Sequence, residues 1–421
     1  MNFRFRRLAI RATAVVATLF LSLGIASAQS TPPIRIGFGM ALTGGLAAGG
    51  KQALLTYELW AEEINARGGL LGRRIELTKY DDQSSPSTVP GIYSKLLDVD
   101  KVDIVLSGYG TVPTAAAMPV VMQHKKLFLS LFALAANDQF NYDRYFQMQP
   151  NGPDAKVEFS RGYFELAAAL DPKPQTVAIV GADAEFSVLA MEGARENAKK
   201  HGFRIVYDRT YPPNTVEFGT VVRAIKATNP DLVFIASYPP DSSGMIRSVH
   251  EVGLGARMLG GGMIGLQFAA LKTQLGPLLN GLVSYDLYAP EPTMKFPGVE
   301  QFLVRYRERA ASAGVDPLGL YIPPYAYAEM QILEAAVKAV GSLDDEKLAQ
   351  HIRSSTFDTV VGPITFGARG EWARPRILLV QYRGVEGSDV EQFKQTGKAV
   401  ILDPPQYRSG DLQVPFVPAK R

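Results

Sequence analysis

The chain is predicted to fold as an α/β protein of two doubly wound lobes, on three observations. Apolar strand, turn and amphipathic helix alternate along most of its length; the cycle begins afresh after Pro150; and about 390 residues remain beyond an export signal, more than one core usually serves. The first cycle opens with a strand at 34–39. A helix at 51–66 follows, with Leu54, Leu55, Leu59 and Ile64 near helical spacing and Arg67-Gly68-Gly69 as its stop. Residues 75–80 alternate like a strand, 89–97 read as a helix, and 102–106 and 127–130 read as buried strands. In the second cycle the strands are 176–180, 204–207 and 231–235, and the helices are 184–201 and 218–228. Such alternation makes parallel sheets covered on both faces. The last third is less regular. It holds helices at 299–313, 326–340 and 344–354, the last capped by Ser342, and a strand at 377–382. From Lys398 the chain is rich in proline and polar residues and is expected to run over the surface.

Residues 1–28 have the layout of a secretory signal peptide. Arg4, Arg6, Arg7 and Arg11 precede an apolar run at 12–25, and Ala26-Ser27-Ala28 supplies small residues for cleavage near Ala28. The run is shorter than the roughly 20 residues of a membrane span, the alternative being a retained anchor. Loss of those four arginines takes the net charge from +3 to −1, so no basic stripe remains for nucleic acid. The absence of cysteine excludes disulfides, thiolate metal sites, a cysteine nucleophile and a lipidated anchor. An exported, untethered protein of this kind is expected in the periplasm. His124, His201, His250 and His351 are scattered; they are expected on the surface, with no metal site and no cofactor.

No catalytic constellation is visible. Residues 45–52 nearly match a phosphate loop, but Gln52 replaces the Ser or Thr that holds magnesium, and a rim loop is the plainer reading. Gly37-Phe38-Gly39 is followed by Leu42 where a dinucleotide motif needs its third glycine. Ser107 and Thr111 have no evident base, and Asp81-Asp82 reads as loop capping. The chain is therefore not expected to be an enzyme. In open parallel sheets ligands sit beyond the carboxyl ends of the strands, which directs attention to the loops after Phe38, Leu106, Leu129, Val180, Ile235 and Leu259.

Several stretches, specific in combination, carry a family resemblance: Leu42-Thr43-Gly44, residues 64–72, Tyr80-Asp81-Asp82, the loop 108–119, Asn229-Pro230-Asp231 and residues 359–364. From Ile34 to about Trp372 the chain resembles the periplasmic leucine/isoleucine/valine-binding proteins and their wider family. The resemblance implies a type I periplasmic-binding-protein fold, with two doubly wound Rossmann-like lobes joined by three hinge crossings and closing on a small-molecule ligand. It assigns residues 33–149 and 287–360 to the first lobe, 150–286 and 361–397 to the second, and 398–421 to a surface tail. It further implies delivery to an ABC permease of the inner membrane, by a monomer.

The resemblance also implies a ligand site. The loop of Tyr109, Gly110 and Thr111 stands where family members hold a carboxylate with a hydroxyl and backbone N–H groups, although Thr111 could simply cap the next helix. Phe132 and Leu134 fall on a second contact loop, Leu134 replacing a threonine. Gly262 stands where amino-acid binders place the glutamate that pairs with the ligand's amine, and Gly49 where an aromatic often flanks the ligand, which is expected to enlarge the pocket. Phe186, Tyr238 and Tyr321 match aromatic positions. A desolvated ammonium without a partner costs several kcal/mol, so the expected ligand is a carboxylate without an α-amine, aromatic or branched, such as a benzoate or phenylpropenoate. The alternatives are a branched-chain or other hydrophobic amino acid, or a role as an exported sensor docking on a membrane receptor.

Overall fold

The computed structural model describes residues 31–213 and 215–419, so the export signal lies outside the described residues. The first sheet is entirely parallel, in the order β2-β1-β3-β4-β5: β1 (Ile34–Met40), β2 (Ile75–Asp81), β3 (Ile104–Tyr109), β4 (Phe128–Leu131) and β5 (Tyr145–Gln147). The second holds seven strands in the order β7-β6-β8-β9-β10-β13-β14. They are β6 (Thr176–Ala182), β7 (Arg204–Tyr211), β8 (Leu232–Ser237), β9 (Met258–Met263), β10 (Val283–Asp286), β13 (Leu378–Tyr382) and β14 (Ala399–Asp403). β6 to β10 pair in parallel, whereas β13 and β14 are antiparallel additions. A short hairpin, β11 (Thr356–Thr359) and β12 (Gly362–Thr365), stands apart.

The central strands are buried on both faces, as parallel sheets covered by helices require. Helix α1 (Ala47–Ala66) packs against α9 (Val299–Ala313) and α10 (Ile322–Val340), α4 (Ala155–Ala168) against α5 (Glu185–Lys200), and α6 (Gly219–Ala227) against α7 (Pro239–Val252). The remaining helices are α2 (Val89–Ser94), α3 (Thr111–Gln123), α8 (Ala269–Leu275) and α11 (Asp345–Ser354). The chain leaves the first sheet at 148–154, returns to the helices packed on it at 287–298, and leaves again at 366–377. These three crossings are the connections expected of two doubly wound lobes.

Four expectations need correction. The stretch from Lys398 does not simply run over the surface. Ala399–Asp403 is buried as β14, and Phe416 is buried against the ring of His250. His250 is itself buried, its ring nitrogens engaged by the Leu278 carbonyl and the Ala419 N–H. Residues 47–50 are the first turn of α1 and not a loop; a side chain on Gly50 would strike the Ala41 carbonyl, so the glycines serve helix–strand packing. Asp344, not Ser342, caps α11, its carboxylate accepting the Lys347 N–H at 3.0 Å. Asp81 does cap a loop. Burial works against its charged form, yet hydrogen bonds from Thr43, Gln83 and Leu42 prevail and hold it below the usual carboxylate range.

The first lobe's core holds a costly group. Glu329, on α10, is fully buried, and burial pushes its carboxyl up to about 8 although the Tyr57 hydroxyl donates to it at 2.5 Å. Its other oxygen has no partner. A folded-state value above the unfolded one means that its stability contribution is present below the ordinary carboxylate range and is lost as the pH rises towards about 8. Asp82, Asp241 and Asp286, pushed up by burial to about 6, complete their loss earlier. Thermal melts should therefore show the midpoint still falling between about pH 6.5 and 9, and Glu329→Gln should flatten that part of the profile. An unchanged slope in the variant would refute the assignment.

Candidate functional site

At the carboxyl ends of both sheets lies a cavity of about 20 Å³, lined by Leu46, Tyr109, Gly110, Thr111, Val112, Phe132, Gln149, Phe186, Tyr238, Ile264, Tyr285 and Tyr321. Tyr109 ends β3, Phe132 follows β4, Tyr238 follows β8, Ile264 follows β9, and Tyr285 lies in β10. Gln149 comes from the first crossing and Tyr321 precedes α10. The volume holds about one water, because the walls touch. The Tyr285 and Tyr321 hydroxyls are hydrogen-bonded at 2.7 Å. The Phe132 ring lies 5.2 Å from Tyr321 and 6.4 Å from Tyr109, and Phe186 lies 5.7 Å from Tyr238. Burial pushes the Tyr109, Tyr285 and Tyr321 hydroxyls well up, so they remain neutral.

One wall presents hydrogen-bond donors. Gly110 precedes α3 with φ +106°, a conformation that an L side chain rarely adopts, and it turns the chain so that the helix begins at the cavity. No side chain caps α3; its first N–H groups, on Thr111 and Val112, belong to residues lining the cavity, and the next position is Pro113, which has none. The Thr111 hydroxyl accepts the Leu134 N–H at 3.0 Å, which leaves its proton to donate. Thr111 therefore does not cap the helix; it adds a donor at the positive end of the helix dipole. Phe132, on the facing loop, sits at φ 57°, an uncommon conformation for so large a residue and a sign of local strain.

Tyr109, Gly110, Thr111, Phe132, Phe186, Tyr238 and Tyr321 are thus brought together, while three expected residues are not on the wall. Gly49 does not enlarge the pocket. The Tyr109 ring has moved into the space, so that a Cβ on Gly49 would stand 2.3 Å from the Tyr109 ring and 2.7 Å from Ile322. Gly262 lies within β9, behind Phe159, whose ring would be 3.1 Å from its Cβ and which itself packs on Phe186 and Tyr285. β9 runs on through Gly260 and Gly261 because side chains there would strike the Val283 carbonyl and the Phe234 ring. Leu134 is buried and contributes only its backbone. Leu46, Val112, Gln149, Ile264 and Tyr285 were not foreseen; only the rule that ligands meet strand ends could have suggested Tyr285 and Ile264. Among the described residues no carboxylate lines the cavity. The acid beside it in sequence, Asp286, accepts the Leu287 N–H and faces the charge of buried Lys272.

Two wound sheets, three crossings and a cavity at their facing strand ends define a two-lobed binding protein of the type I periplasmic class. The sequence pattern of the family described as "Periplasmic binding protein" matches residues 33–386, and the chain belongs to that family. It is a solute-binding protein and not an enzyme. It is similar to the Leu/Ile/Val-binding protein of Escherichia coli (strain K12), 22% identical over 353 residues that cover 83% of this chain and 91% of that one. Among solved structures, a branched-chain amino acid substrate-binding protein from Streptococcus pneumoniae in complex with isoleucine is 18% identical with a TM-score of 0.72, covering 88% of this chain and 100% of the other. A solute-binding protein from R. palustris in complex with benzoate is 18% identical with a TM-score of 0.70, covering 88% and 95%. Among the described residues no helix is long and apolar enough to cross a membrane.

The Gly49–Tyr109 contact yields a test. Gly49→Ala should gain about 1 kcal/mol of helix propensity but lose about 1–3 kcal/mol to overpacking, and it should push the Tyr109 ring into the cavity. Denaturant titration of the ligand-free protein should show net destabilisation; a stabilised variant would mean that the ring is not held there.

Proposed function

We propose that this protein is the periplasmic capture component of an ABC importer and that it holds a small organic carboxylate, aromatic or branched, between its lobes. The observation that carries the reading is the pairing of anion donors at Thr111 and Val112 with a wall free of carboxylates. An α-ammonium in this cavity would meet only neutral groups, and a desolvated unpaired charge costs several kcal/mol. The six aromatic rings around the donors suit a planar ligand body. The benzoate complex in the R. palustris structure is consistent with this reading. The Leu/Ile/Val-binding relative favours a second reading, a hydrophobic amino acid held through its carboxylate alone.

A benzoate does not fit within about 20 Å³, so capture requires the walls to part and close again. The bonds that span them, Tyr285 to Tyr321 and the Ala269 N–H to Asp316 at 2.6 Å, are then exchanged for contacts with the ligand, whose differential affinity sets the closed population. As a monomer, the loaded form would present both lobes to the permease.

A thermal-shift panel of benzoates, phenylpropenoates, branched aliphatic acids and leucine decides between the readings. Carboxylates without an amine should raise the midpoint most; a large shift with leucine and none with the acids would overturn the ligand assignment. Thr111→Ala should weaken the best ligand roughly ten- to hundredfold by calorimetry, the worth of a hydrogen bond to a charged group. Small-angle scattering should show a smaller radius at saturation, and an unchanged radius would exclude lobe closure.

A further inference from the structure

Buried glutamines in this fold spend their amides on the protein, with one exception. Gln52, Gln147, Gln267, Gln381 and Gln392 each donate an amide N–H to a backbone carbonyl. Gln149 is 3% exposed, yet among the described residues its side-chain amide has no hydrogen-bond partner. Nor is that amide sealed in. Both amide atoms of nearby Asn151 are unpartnered and wholly occluded, whereas neither end of the Gln149 amide is occluded. The space it opens on is the cavity at the carboxyl ends of the two sheets, which Gln149 lines.

The backbone gives this side chain a fixed base. The Gln149 carbonyl accepts the Gln147 side-chain N–H at 3.1 Å and the Asn151 N–H at 2.9 Å. Pro150 follows, which favours extended backbone at Gln149, and the Pro150 carbonyl accepts the N–H of Arg376, in the third crossing, at 2.8 Å. A polar group held this firmly and left without a partner is costly until a ligand supplies one. A primary amide offers two N–H donors and one carbonyl acceptor and carries no charge. A carboxylate takes the donors but leaves the carbonyl facing an anion. An ammonium takes the carbonyl, but its charge stays uncompensated. A hydroxyl serves either end, because it both donates and accepts.

We infer that Gln149 is a specificity-determining residue of the cleft, and that the carboxylate captured there carries a hydroxyl which the Gln149 amide meets. The inference rests on the carboxylate reading of the cleft and narrows it: Thr111 serves the charge, and Gln149 separates hydroxylated acids from those without the hydroxyl. Discrimination of this kind is steep, because an analogue lacking the hydroxyl leaves the buried amide unpaired, whereas an apolar wall hardly tells the two apart.

Calorimetry with acids matched in size tests this on the wild-type protein, with no variant needed: 2-, 3- and 4-hydroxybenzoate, each against the methylbenzoate of the same position. In at least one pair the hydroxy acid should bind roughly tenfold tighter or more. In Gln149→Leu that ratio should collapse to within about threefold, the methyl acid binding as well as before or better; a merely structural role would weaken both members alike. Equal affinities in every wild-type pair would overturn the inference while leaving carboxylate capture intact. A hydroxyl preference that survives in Gln149→Leu, or a parallel loss of both acids, would take the role from Gln149. Leucine bound and no acid bound would bring down the carboxylate reading and this inference with it.

Discussion

Parallel pairing is the constraint from which the rest follows. Strands that all run one way must deliver their carboxyl ends to one edge of each sheet, and the helical returns keep that edge for loops. Here both edges meet at one cavity. β3 and β4 supply Tyr109, Thr111 and Phe132; β8, β9 and β10 supply Tyr238, Ile264 and Tyr285. The buried strands behind them carry almost no chemistry of their own. The donor wall follows from one backbone choice at Gly110, which sets the start of α3 against the cavity and leaves its first N–H groups without helical partners.

β1, β3, β4, β6 and β8 were legible because their apolar runs are unbroken, and β2 because it alternates; β5 and β10, three and four residues long, are too short to show a pattern and were not legible. β9 was legible only to Leu259, since three glycines erase the side-chain signal while the backbone continues the ladder through Gly262. β14 was hidden by its neighbourhood: Pro404 and Pro405 follow it at once, and its partner β13 is an edge that exists only in three dimensions. The polar composition after Lys398 describes the residues around the strand rather than the strand itself.

The site was legible in its loops and not in its glycines. Tyr109, Thr111, Phe132 and Tyr238 sit where strand ends put them. Gly49 and Gly262, by contrast, had been read as missing side chains and hence as open space or a missing charge. A close-packed interior does not leave such space. Tyr109 occupies the first and Phe159 the second, each from a different element of the chain. What a glycine admits is decided by distant neighbours, which no local pattern encodes.

The antiparallel strands at the edge of the second sheet have a consequence for how the molecule is made. Val283 pairs with Gln381, and Leu379 in turn with Asp403, so the sheet is completed by residues close to the end of the chain. Until those residues leave the ribosome, β10 presents an open hydrogen-bonding edge, and its closure spans a long stretch of intervening sequence. The second lobe is therefore the late-maturing half. A chain cut before Leu378 would leave β10 with an unpaired edge, a place where a strand from another copy could add.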